Sequence, residues 1–387
     1  MKKIMLAFGT RPEAIKMCPL YLELKKHREF ETLCLVSAQH RDMLDSVLSV
    51  FGVVPDYDLN IMKPKQTVTD ITCSILRELK PILQKEQPDL VLVHGDTTTA
   101  FASALACFYE QIPVGHVEAG MRSFDLYSPF PEEMNRKMIG AVAALHFAAT
   151  ETCVENLLRE GVKKESVFLT GNTVIDALRV SQRENYAFSD DTLRNLDFVG
   201  HRVILITCHR RENIGQSMED IFRAVGKILS DYPDVEFVFP IHKNQAVRDI
   251  YAASGIQSDR MHLIEPLDYI PFIHLMQKCH LILTDSGGIQ EEAPHFGKPV
   301  VVVRDVTERT EAVKAGTVLL AGTKFEAVYQ AVSRLLEHPE EYERMSRAIN
   351  PYGDGFASQK IAQDIAYFFG MSEEPATPFQ HTNREQK

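Results

Sequence analysis

Three carboxylates in the first half of the chain stand where short apolar runs give way to helix-forming sequence. Asp96 follows Leu90–His94 and precedes Thr97-Thr98-Thr99, Glu118 closes His116-Val117-Glu118 among small residues, and Glu132 with Glu133 follows Phe130-Pro131. Carboxylates crowded on one wall raise one another's pKa, which suits general acid and base work. Each also has a plain structural use. Asp96 or Thr97 can cap the next helix, and Glu132 and Glu133 can simply complement a helix dipole. Cations stand at other run ends. Gly9-Thr10-Arg11-Pro12-Glu13 puts Arg11 at a helix start and Lys16 about a turn further on. Both work against the helix dipole unless an anion compensates them. Thr10 and Glu13 have capping-box spacing, and Pro12 suits a first turn. In the second half, Thr207-Cys208-His209-Arg210-Arg211 sets a His and two Arg ahead of a helix, residue types that can clamp an anion.

The densest signal is Thr284-Asp285-Ser286-Gly287-Gly288-Ile289-Gln290-Glu291-Glu292, which follows the apolar run Leu281-Ile282-Leu283. Two glycines let the backbone approach a ligand, and a helix start offers unpaired N–H groups and a positive dipole end. Ser286, Gly287 and Gly288 therefore suit a phosphate. Glu292, one turn in, can accept hydrogen bonds from sugar or ribose hydroxyls. The competing reading is an ordinary strand-to-helix turn.

These residues need a scaffold that brings run ends together. Apolar runs recur at Ile4–Phe8, Leu33–Val36, Leu90–Val93, Val114–Val117, Leu145–Ala148 and Val167–Leu169. A second series follows at Val203–Ile206, Val235–Phe239, His262–Ile264, Leu281–Leu283, Val300–Val303 and Val318–Leu320. Many are continuous Val, Ile and Leu, as in strands covered on both faces, and helical patterns separate them. The alternation predicts α/β architecture with two Rossmann-like, doubly wound domains. In such sheets ligands sit at the C-terminal ends of the strands, where the polar residues above stand. The link is expected near Gly171-Asn172-Thr173, and the polar stretch Ser181–Asp197 is read as a helix plus surface loop. Asn350-Pro351-Tyr352-Gly353-Asp354-Gly355 breaks the pattern before a last helix, roughly Ser358–Phe369. The expected domains are 1–171 with 356–370, and 172–355. The polar stretch 371–387 is expected to be disordered.

Bulk properties exclude several classes. The chain has 387 residues, 45% apolar and 25% charged, with a net charge of −11. That charge argues against a nucleic-acid partner. No apolar stretch is long enough to span a membrane, and Met1–Gly9 reads as a first strand rather than a signal peptide. Seven scattered cysteines with no CxxC pair point to reduced thiols and a cytoplasmic protein. No GxGxxG follows the first strand and no HExxH pair occurs, so neither a dinucleotide nor a metal is expected.

Taken together, the motifs resemble the bacterial non-hydrolysing UDP-N-acetylglucosamine 2-epimerases. The matching stretches are FGTRPEAIKM (8–17), AQHRDMLD (38–45), VPDYDLNIM (54–62), LVHGDTTTA (92–100), VGHVEAGMRS (114–123), FPEEMNR (130–136), TGNTVIDAL (170–178), HRREN (209–213), TDSGGIQEEAP (284–294) and NPYGDG (350–355). They run across nearly the whole chain in family order. The resemblance implies a glycosyltransferase-B-like fold with the active site between two domains, a final helix that returns to the first domain, and a homodimer. It implies inversion at C2 of UDP-N-acetylglucosamine to UDP-N-acetylmannosamine, through elimination of UDP to 2-acetamidoglucal and re-addition, with no cofactor. Such products usually feed cell-surface polysaccharide. On this resemblance Arg11, Lys16, His209 and Arg309 fall on substrate or diphosphate contacts, and Asp96, Glu118 and Glu132 on the proton-transfer carboxylates. Ser286, Gly287 and Gly288 fall on phosphate contacts, Glu292 on the ribose carboxylate, and Phe272 on the uracil pocket.

Three positions depart from the family pattern. Cys208 stands where Gly usually precedes the His, Thr310 where Pro usually follows the Arg, and Ser46 where Gln is common. None removes a chemical group from the site. Two alternative readings are a 2-epimerase of a modified UDP-sugar such as a diacetamido-uronic acid, and a UDP-sugar glycosyltransferase of the same fold, which needs no paired acid and base for C2. A reactive glycal must be kept from water, so two hinged domains are expected to close on UDP.

Overall fold

The structure, a computed structural model, describes residues 1–39, 41–63 and 65–379. His40, within the AQHRDMLD stretch, and the end of the tail from Gln380 lie outside the described residues. The chain forms two compact units. Among the described residues, one comprises 1–180 with 352–379, and the other comprises Ser181–Pro351.

Among the described residues, the first unit is built on seven parallel strands: β1 (Lys2–Phe8), β2 (Phe30–Val36), β3 (Tyr57–Asp58), β4 (Leu90–His94), β5 (Val114–Ala119), β6 (Leu145–Ala148) and β7 (Val167–Leu169). Their order in the sheet is β3-β2-β1-β4-β5-β6-β7. Six were legible as apolar runs. The seventh, β3, is two residues long and ends in Asp58, so no apolar run announces it. Met5, Ala7, Val91 and Val93 pack with Ile75, Leu79 and Leu83 of the helix Val68–Glu86 in one buried cluster.

The second unit has six parallel strands: β8 (Arg202–Thr207), β9 (Val235–Pro240), β10 (Met261–Ile264), β11 (Leu281–Thr284), β12 (Val300–Val302) and β13 (Val318–Leu320). They lie in the order β10-β9-β8-β11-β12-β13. The core joins Ile204, Ile206, Phe237, Phe239, Leu281 and Leu283 to the apolar face of the helix Gln216–Asp231. Helices separate the strands in both units, and every strand pair is parallel. The architecture is the expected α/β with two doubly wound sheets.

Chain order reverses at β1/β4 in one sheet and at β8/β11 in the other. Crevices at the carboxyl ends of strands open at such reversals.

The units differ from the expected boundaries in two places. The helix Thr173–Ser181 belongs almost wholly to the first unit, because Asp176 on it accepts the Ala357 and Ser358 N–H groups at the start of the last helix, at 3.0 and 2.7 Å. That last helix spans Ala357–Phe368. Disorder from residue 371 was expected; most residues of the described tail, 371–379, are exposed, but two are packed. Ala376 and Phe379 are buried, Ala376 N–H donates to Asp364 Oδ1 at 2.8 Å, and Phe379 N–H donates to the Leu169 carbonyl at 3.3 Å. Two isolated apolar residues among prolines leave no periodic signal, yet each fills a place on an edge strand or helix.

Candidate active site

In the first unit the polar residues gather at the β1/β4 reversal. Thr10 caps the helix Arg11–Leu24 and forms the capping box with Glu13. Glu13 is buried, and its carboxylate accepts Gly9 N–H at 3.0 Å, Thr10 N–H at 2.8 Å and the Thr97 hydroxyl at 2.7 Å. One carboxylate thus ties the end of β1 to the end of β4 and holds Arg11 at the rim. Thr97, not Asp96, caps the next helix, through Ala100 N–H at 3.0 Å. The Asp96 side chain takes no part in that cap. Its carboxylate accepts from Arg136 Nε at 2.9 Å and Nη2 at 2.6 Å, and its carbonyl accepts from Asn135 at 2.8 Å.

Arg11, Asp96 and Glu132 line one cavity of about 530 Å³, with Thr10, Gln39 and Asn135 on the same wall. Glu118 stands beside it: a Cβ on Gly95, next to Asp96, would lie 3.7 Å from Glu118 Oε1. Strand β5 is irregular between Val117 and Ala119, and Glu118 has φ +61°. A left-handed residue within a strand is strained, and a bulge re-aims a side chain. Here Glu118 meets Lys16 in an ion pair, accepts Asn172 Nδ2 at 2.9 Å and lies 3.5 Å from His94 Nε2. Burial pushes its carboxyl up, but the Lys16 ammonium and the His94 imidazole outweigh burial and hold it well below the usual carboxylate range.

The second unit gathers residues at the β8/β11 reversal. Asp285, wholly buried, accepts the backbone N–H groups of His209 and Arg210 at 2.8 Å each, and Asn213 Nδ2 at 3.2 Å. It also faces His209 Nδ1 at 3.6 Å. The His209 ring stays partly exposed and stacks on His242, with centroids 5.3 Å apart. Ser286 starts the short helix Gly287–Glu292. Arg309, just past β12, lays its guanidinium against Gly287 and binds Glu291 Oε1 through Nε at 3.0 Å. Glu292 Oε1 lies 3.4 Å from the place of a Gly288 Cβ. His209, the Ser-Gly-Gly turn, Glu292 and Arg309 therefore follow three adjacent strands, β8, β11 and β12.

Phe272 sits in the first turn of the helix Tyr269–Lys278, half-buried, after β10. Arg210 lies 3.9 Å from Glu308, and Arg304 bridges Glu212 and Glu308. Carboxylates thus take up part of the basic character of this loop. Among the described residues no cluster of three or more His, Cys, Asp or Glu could hold a metal ion. No helix of the described residues is long and apolar enough to cross a membrane. The Cys208 side chain is directed into the core of its unit, which accounts for a larger residue being tolerated before His209.

The family model described as UDP-N-acetylglucosamine 2-epimerase matches residues 22–366. The chain belongs to the UDP-N-acetylglucosamine 2-epimerase family. The Bacillus subtilis UDP-N-acetylglucosamine 2-epimerase is 53% identical over 378 residues, covering 97% of this chain and 98% of that protein. A Staphylococcus aureus structure solved with UDP superimposes with a TM-score of 0.87 at 50% identity, over 98% of this chain and 100% of that one. The Neisseria meningitidis UDP-GlcNAc 2-epimerase bound to UDP-GlcNAc superimposes with a TM-score of 0.84 at 48% identity, over 94% and 100%. As a member of this epimerase family the chain is an enzyme, and its fold is glycosyltransferase-B-like.

Sequence reasoning missed the residues that support these side chains. Asp285, Glu133, Arg136 and Asn172 hold the predicted residues in place. Asp285 adjoins the Ser-Gly-Gly turn, and a carboxylate directly after an apolar run was the available signal. Arg136 and Asn172 lay within matched motifs but have no local signature.

Proposed function

We propose that this epimerase interconverts UDP-N-acetylglucosamine and UDP-N-acetylmannosamine, and that it does so by eliminating and re-adding UDP. The observation that carries the reading is the cavity lined by Arg11, Asp96 and Glu132, with the Lys16–Glu118 pair beside it. The C2 hydrogen of the sugar has no neighbouring carbonyl to acidify it. A base removes that proton while the C1–O bond to UDP breaks. The C–H electron pair becomes the C1=C2 bond of 2-acetamidoglucal, and the C1–O pair leaves with UDP. On return, a UDP oxygen rebonds to C1 and a proton is delivered to C2 from the opposite face.

This route needs a base and an acid on either side of C2, and Asp96, Glu118 and Glu132 supply them. It also needs stabilisation of the departing diphosphate. Arg11, Lys16, His209 and Arg309, with the N–H groups at Ser286, Gly287 and Gly288, supply that. Glu292 takes the ribose hydroxyls and Phe272 the uracil. No redox cofactor enters the route. Assembly as a homodimer and supply of a cytoplasmic polysaccharide precursor belong to the same proposal.

Incubation with UDP-N-acetylglucosamine in D2O tests the reading. Deuterium at C2 of the recovered UDP-N-acetylglucosamine and UDP-N-acetylmannosamine is expected. Recovery of UDP-sugar without deuterium at C2 overturns it. Asp96→Asn is expected to lower kcat about 10²- to 10⁴-fold, the usual worth of acid–base catalysis, with UDP binding intact.

A further inference from the structure

The loop from Gly120 to Pro131 leaves the strand that carries Glu118 and enters the helix that begins at Glu132. Two of the three proposed proton-transfer carboxylates therefore flank one loop. The loop presents Phe124, Leu126, Tyr127 and Phe130 to the surface. The third carboxylate, Asp96, is linked to the same loop through two side chains. Glu133 is completely buried. Its carboxylate accepts the loop's Ser123 N–H at 2.9 Å, the Phe124 N–H at 3.1 Å and Arg136 Nη1 at 3.2 Å. Arg136, one turn further along the helix, uses the rest of its guanidinium on Asp96, through Nε and Nη2 at 2.9 and 2.6 Å. A planar guanidinium shared by two carboxylates has its orientation set by both. Glu133 thus decides where the Asp96 partner lies.

We propose that Glu133 is a positioning residue: acting through Arg136, it locks the Asp96 carboxylate to the placement of the aromatic loop. The inference rests on the proposed role of Asp96 in proton transfer at C2. Glu133 touches no reacting atom. Its effect comes from geometry, where a displacement of about 1 Å is worth on the order of 10²-fold in rate.

A double-mutant cycle on the full-length enzyme tests this. Glu133→Gln keeps the shape and an acceptor for the loop but removes the ion pair with Arg136. It is expected to lower kcat about 10- to 100-fold, with KM for UDP-N-acetylglucosamine changed less than about threefold. In an Asp96→Asn background the same substitution is expected to lower kcat less than about twofold, because the group it positions is already gone. Equal, additive losses in both backgrounds, or a rise in KM at unchanged kcat, overturn the inference. Arg136→Lys, which keeps the charge but cannot span both carboxylates, runs the same cycle and decides the matter if Glu133→Gln loses the native circular dichroism spectrum. Failure of the underlying reading has a different signature: wild-type enzyme without C2 deuteration, or Asp96→Asn with full turnover.

Discussion

Gly287 lies directly under the guanidinium of Arg309: a Cβ added there would be 3.0 Å from Cζ and 3.2 Å from Nη1. Arg309 has little room to retreat, because Nε binds the buried Glu291 at 3.0 Å. Gly287→Ala is therefore expected to push the guanidinium off its seat and weaken UDP binding. A loss of about tenfold, equivalent to ~1.4 kcal/mol, is expected by isothermal titration calorimetry. Unchanged affinity would remove Arg309 and this turn from the diphosphate site.

Removing the Lys16 ammonium leaves the largely enclosed Glu118 carboxylate, 13% exposed, with His94 and Asn172 beside it. Lys16→Met is expected to cost on the order of 3 kcal/mol at pH 7, since a largely desolvated charge then lacks its main partner. In the wild type, Glu118 titrates well below its ordinary value of 4.5. Its contribution to stability is thus present above pH 4.5 and lost as pH falls through the lower, folded-state value. Urea denaturation should show the gap between wild type and variant shrinking as pH falls from 7 toward 3. A constant gap would contradict the pairing.

Asp285→Ala strips the acceptor from the His209 and Arg210 N–H groups and removes one of the two acceptors of Asn213 Nδ2, which keeps the Val303 carbonyl. Orphaned buried donors cost on the order of 1–3 kcal/mol each, so the loop before the helix should shift. A fall in denaturation midpoint together with at least a tenfold drop in kcat is expected. Loss of stability alone, with kcat kept, would show that His209 does not depend on this anchor.

Asp364, under the packed part of the tail, behaves in the opposite sense to Glu118. Burial pushes its carboxyl up from 3.8 to about 7. An acid raised on folding favours the folded state while protonated, so its contribution is full below pH 3.8 and is lost as pH rises through about 7. A shift from 3.8 to about 7 corresponds to roughly 4 kcal/mol across that window. Asp364→Asn should abolish this slope. Melting temperatures at pH 5 and pH 8 check it: the variant is expected to gain on the wild type at pH 8, and parallel profiles would refute the assignment.

Most of the scaffold was legible before the structure. Runs such as Leu90–Val93 and Leu281–Leu283 are continuous Val, Ile and Leu because strands covered on both faces leave no polar side. Thr10 and Glu13 announced their capping box because a cap is a contact between residues three apart. The two-residue strand Tyr57–Asp58 and the buried tail residues Ala376 and Phe379 were not legible. A pair of residues has no periodicity, and each is held by a neighbour far away in sequence.

The chain by itself determined where strands end, and so which polar residues stand at those ends, because hydrophobic patterning and turn chemistry are local. Only the tertiary structure decided the partners. Glu118 meets Lys16 across 102 residues, Asp285 holds His209 across 76, and Arg136 grips Asp96 across 40. Such pairs exist because β1 lies against β4 and β8 against β11. Strand order is set by how whole layers bury their apolar faces, and no local stretch of sequence encodes it.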